Sequence, residues 1–67
     1  MSRNIQQELR EEADALGMKL SKLKGFLEKR KPADMISDHW KLLHKQQKAM
    51  QKYYNILVLR IDNLRFD

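Results

Sequence analysis

The chain has 67 residues, no cysteine and a formal charge of +5, which bounds it to one small domain without disulfides or a cysteine-based zinc site. A chain this short buries a small fraction of its surface, so association between copies is the stabilising device left to it. The first 18 residues carry Glu8, Glu11, Glu12 and Asp14, and no apolar run nears the ~20 residues of a membrane span, so a soluble intracellular protein without a signal peptide is expected.

Two Gly, one Pro and an abundance of Leu, Lys, Gln, Glu and Met favour helix throughout. Leu9, Ala13, Leu16, Leu20, Leu23 and Leu27 follow one another at intervals of 4, 3, 4, 3 and 4, which lines them along one seam with the 3.5-residue repeat of coiled coils. The first helix is expected from about residue 4 to 29. Asn4 with Gln7 reads as a capping box at its start, and Ser2 as a competing cap. Gly17 and Gly25 lie eight residues apart on nearly one side of this helix. Each costs up to ~1 kcal/mol relative to Ala in a helix interior, a cost that close helix approach would justify.

The stretch Lys29-Arg30-Lys31-Pro32-Ala33-Asp34 is the only punctuated one. Pro32 disfavours helical geometry at Lys31, so a turn is expected over residues 30–37, with a short helical turn at Ala33–Ile36. Ser37 or Asp38 then supplies an N-cap for a second helix over about 38–65. In it Trp40, Leu43, Gln47, Met50, Tyr54, Leu57, Ile61 and Leu64 form a second seam. Gln47 is a polar residue within that seam, of the kind that fixes register in a coiled-coil core.

Two matched seams and one proline turn predict an all-α fold: an antiparallel two-helix hairpin, assembling into a homo-oligomeric helical bundle. The assembly is inferred from surplus apolar surface. Beyond the seam the second helix carries Leu42, Ala49, Tyr53, Ile56, Val58 and Leu59, and the first adds Ala15, Met18 and Phe26. Residues 53–61 are apolar on nearly every face, more than one partner helix covers. The expected interface comprises Met50, Ile56, Leu57, Leu59 and Ile61. The rival arrangement opens the helices and pairs them between chains as a longer coiled coil.

Charge is uneven along the chain. Residues 1–18 hold two basic against four acidic groups, residues 19–52 ten against three, and residues 53–67 two against two. A hairpin gathers the positive charge at its loop end. Lys41, Lys45, Lys48 and Lys52 form a stripe with His44 beside it, and Lys19, Lys22 and Lys29 approximate another on the first helix. Such stripes attract phosphate, though a merely solvated helix face has the same look.

No catalytic constellation is present, and no enzyme, cofactor or metal is expected. His39 and His44 are five apart, so they do not share a face as an i, i+4 metal pair does. Trp40 and Tyr54 lie on the seam, where core packing is the better reading. Tyr53, off the seam and next to Lys52, is the freer aromatic for stacking on a base.

Lys22-Leu23, Phe26-Leu27, Leu42-Leu43, Gln46-Gln47, Ala49-Met50, Tyr53, Leu57 and Arg60-Ile61 together resemble a family of short bacteriophage proteins known from crAss-like and other tailed phages. The resemblance spans about Ala13 to Leu64, with Tyr53 and Arg60 its more telling matches; the basic connection Lys29-Arg30-Lys31-Pro32 departs from it. It implies a phage origin and the host cytoplasm, with no activity attached. Three kinds of binding function then stand open. The first is a sponge that traps an anionic nucleotide immune signal in basic pockets between subunits, Lys45, Lys48, Lys52 and Arg60 holding phosphates and Tyr53 stacking a base. The second is an inhibitor that docks the apolar face of residues 53–61 on a host or defence protein. The third is non-specific nucleic-acid binding through the basic end.

Overall fold

The computed structural model describes residues 5–64. These form two helices and no strand: α1, Ile5–Leu27, and α2, Ser37–Leu64. The caps expected at Ser2 and Asn4, and the expected last helical residue, 65, lie outside the described residues.

Contacts between the helices run in opposite order along the two sequences. Phe26 meets Trp40 beside the connection, Gly17 meets Tyr54 further along, and Leu9 clusters with Leu57 among Ile61 and Leu64 at the far end. The pair is therefore an antiparallel hairpin, elongated to 50 × 22 × 16 Å.

The connection is closed by its own backbone. At the end of α1 the Glu28 amide donates to Lys24 O at 3.0 Å and the Lys29 amide to Phe26 O at 3.3 Å. The second bond, with its shorter three-residue span, tightens the last turn, so α1 ends at Leu27 rather than at 29. Past Pro32 the Met35 amide donates to Pro32 O at 3.1 Å. Lys31 folds over this turn and its Nζ donates to Met35 O at 2.6 Å and Pro32 O at 3.2 Å.

Helical bonding resumes where the Trp40 amide donates to Ile36 O at 3.2 Å. Ile36, rather than Ser37 or Asp38, thus holds the N-cap place. The turn tethered by Lys31 ends at Met35, which leaves Ile36 alone to lead into the helix. Ser37 becomes the first helical residue, and Asp38 sits in the first turn, where its carboxylate complements the helix dipole.

The two seams face each other. Leu9, Ala13, Leu20 and Leu57 are buried, and Leu16, Tyr54, Ile61 and Leu64 pack around the cluster of Leu9, Ala13 and Leu57. Leu23, Leu27, Trp40, Leu43, Gln47 and Met50 are half-buried along the same line. Burying a large apolar side chain stabilises by about 1.5–3 kcal/mol, and ordering one residue costs about 1–2 kcal/mol in backbone entropy alone. Four buried side chains are a thin core for two helices this long.

Large apolar side chains remain on the outside. Met18 is 64% exposed, Leu42 59%, Ile56 54% and Leu59 66%. No helix among the described residues is long and apolar enough to cross a membrane.

Candidate functional site

The side of α2 turned away from α1 carries a second ordered row. Leu42, Gln46, Ala49, Tyr53, Ile56 and Arg60 are spaced 4, 3, 4, 3 and 4, and all six are exposed. This repeats the coiled-coil interval on a face that α1 does not reach. Lys45, Lys52 and Leu59 run alongside it, at seven-residue intervals.

Lys45, Lys48, Lys52, Tyr53 and Arg60 are all exposed, but one chain does not bring them together. Tyr53 and Arg60 lie seven residues apart on the outer row, with Lys45 and Lys52 beside it. Lys48 is five residues before Tyr53, about 140° round the helix at 3.6 residues per turn, and continues the Lys45–Lys52 stripe on its side away from the tyrosine. A pocket holding both Lys48 and Tyr53 therefore needs a second chain. Among the residues expected at an interface between copies, Leu57 is 0% exposed and spends its side chain inside the hairpin. Met50 and Ile61 are half-buried there too, which leaves Ile56 and Leu59 as the two with free surface.

The loop end is an aromatic cluster with one titratable edge. Trp40 meets the ring of Phe26 edge-on at 5.7 Å and that of His44 at 5.3 Å. His44 is half-buried there and lines a groove with Lys24, Leu27, Glu28 and Gln47, apart from the lysine stripe. His39 lies instead beside Pro32, Asp34, Met35 and Ile36. Among the described residues no three His, Cys, Asp or Glu side chains gather as metal ligands.

A polar bridge crosses the hairpin at mid-length. Lys24 Nζ donates to Gln51 Oε1 at 2.6 Å, and Gln51 Nε2 donates to Asn55 Oδ1 at 3.0 Å. The bridge borders a groove lined by Gly17, Leu20, Ser21, Lys24, Gln51 and Tyr54. A Cβ at position 17 would stand 3.2 Å from Tyr54 Cε2, so any side chain there would push the ring back by a few tenths of an ångström. Gly25 has nothing within 4 Å of a Cβ position, so the close approach expected of both glycines belongs to Gly17 alone.

Sequence reasoning did not single out Lys24, Gln51 and Asn55. Gln51 and Asn55 are four apart on one flank of the α2 seam, and that polar pair is the signal the sequence offers. The partner from α1 is 27 residues away and becomes visible only once the helices are in register.

Compared with known proteins, residues 3–63 match the family model described as Sequestin. No curated protein and no solved structure matches the chain.

Proposed function

Because the chain belongs to the Sequestin family, we propose that it is a non-enzymatic sequestering protein. In this reading it is phage-encoded and works in the host cytoplasm against a defence system. Copies of the hairpin assemble through their outer α2 rows and hold an anionic nucleotide signal in basic pockets between them. Lys45, Lys48, Lys52 and Arg60 bind phosphate oxygens, and Tyr53 stacks on a base.

The observation that carries this reading is the outer row itself. Tyr53 and Ile56 are exposed on a coiled-coil interval with Lys45 and Lys52 beside them, so a second helix laid there would close apolar contacts with cations at their edge. The family name fits sequestration of a partner. Capture by stoichiometric binding also asks for no catalytic group.

Equilibrium dialysis against a panel of cyclic and linear nucleotides tests the proposal. The wild-type protein takes up one of them, and the double change Lys48→Glu with Lys52→Glu abolishes uptake while the oligomer mass is unchanged. Unaltered uptake by the double variant overturns it.

A second reading draws on the same exposure. With Ile56 and Leu59 more than half exposed in the single hairpin, α2 also suits docking in the groove of a host or defence protein. An assembly that already hides Ile56 and Leu59 excludes that alternative.

A further inference from the structure

Each helix carries a second row one residue before its seam. On α2 it is the outer row, Leu42 to Arg60. On α1 it is Glu8, Glu12, Ala15, Lys19, Lys22 and Phe26, which repeat the spacing of 4, 3, 4, 3 and 4 and are likewise all exposed. Consecutive residues stand about 100° apart round a helix, so each row lies nearly at a right angle to its seam. Both rows fall on the same side of the hairpin. The groove that holds Gly17 and Gln51 marks the other side, with Glu12 and Lys22 about 140° from Gly17, and Ala49 and Tyr53 about 160° from Gln51.

The rows also share a centre. Gly17 is midway along the α1 row and Gln51 midway along the α2 row, and the two line one groove, so they stand at one level of the hairpin. A twofold axis crossing the hairpin at that level pairs α1 with α1 and α2 with α2 of a second copy, each antiparallel. On α2, Tyr53 then lies over the partner's Ala49, a large side chain against a small one, and Ile56 over the aliphatic part of the partner's Gln46. On α1, Glu12 meets the partner's Lys22, because the row runs from acid to base. A parallel pair would instead set Arg60 on Arg60, join the two basic loop ends and leave the α1 rows apart.

We propose that a second copy of this chain covers this side, two hairpins packing antiparallel as a square four-helix bundle with its twofold axis level with Gly17 and Gln51. The proposal rests on the sequestering reading for assembly through α2, and it adds α1 to the interface. The α2 pair supplies the apolar contact. The Glu12 and Lys22 pairs set the orientation, since exposed ion pairs add little affinity. The axis also brings the Lys52 side chains of both copies together at the edge of the α2 pair away from α1, a basic pocket between subunits.

The chain has no cysteine, so Lys41→Cys, at an exposed position outside both rows, takes a single spin label. Lys41 is ten residues from Gln51, so pulsed electron spin resonance on the full chain should give a separation of about 30 Å along the bundle at 1.5 Å per residue. Labels within about 20 Å, as two packed parallel helices would hold them, overturn the antiparallel bundle and leave sequestration standing. Glu12→Lys and Lys22→Glu should each weaken the dimer by about three- to tenfold, and the two changes together should restore it. A double variant as weak as the single ones overturns the pairing of the α1 rows. A single chain, with no coupling between labels, overturns the bundle and the assembly of the sequestering reading together, and leaves this side to a host protein. None of these readouts needs a ligand.

Discussion

The ring of Tyr54 rests against the backbone of Gly17, so closely that a Cβ on residue 17 would lie 3.2 Å from Cε2. The two glycines of α1 consequently predict different outcomes. Gly25→Ala meets open space and should stabilise the hairpin by roughly 0.5–1 kcal/mol, the helix-propensity gain of alanine. Gly17→Ala has the same gain offset by displacement of the ring. Urea unfolding should show Gly17→Ala clearly less stable than Gly25→Ala. Equal gains would mean that the ring is not held against α1.

Leu57 and Leu59 form a second contrast on a single turn of α2. Leu57 is 0% exposed and Leu59 66%, so truncation of the first removes core contacts and truncation of the second removes none within the hairpin. Leu57→Ala should cost about 2–4 kcal/mol and a large part of the helical circular dichroism. Leu59→Ala should leave that signal within a few per cent of wild type.

Lys31 closes the connection through the carbonyls of Pro32 and Met35. Lys31→Met keeps the apolar stem and removes both bonds, and should lower stability by about 1–2 kcal/mol in thermal unfolding. An unchanged midpoint would show that the turn holds without its clip.

The seams were legible because each is written within one helix. Leu9 to Leu27 and Trp40 to Leu64 announce their buried sides by interval alone, and Pro32 marks the turn. What lies between helices was not legible. Lys24 and Gln51 are 27 residues apart, and nothing in the local pattern of either fixes the register that joins them. The same holds for Ile36, which takes the cap place because Lys31 ends the preceding turn at Met35. An apolar residue offers no capping side chain to recognise. Tyr53, Lys45 and Arg60, none of them on a seam, are exposed. The separation of Tyr53 and Arg60 from Lys48 follows from helix geometry, and pooling every candidate ligand residue into one site obscured it.

The outer row predicts a separation between folding and assembly. Ile56→Glu puts a charge on an exposed position, so the hairpin should keep its helicity. Light scattering after size exclusion should show the mass falling to that of a single chain. A wild-type mass would place the interface between copies elsewhere.

The central claim is sequestration by an assembly, and native mass spectrometry of the freshly purified protein tests it most directly. The account predicts a defined oligomer that retains a nucleotide-sized mass, or takes one up from a panel of cyclic and linear nucleotides, at a fixed ratio to subunits. A single chain, or an oligomer that stays ligand-free across the panel, would contradict it.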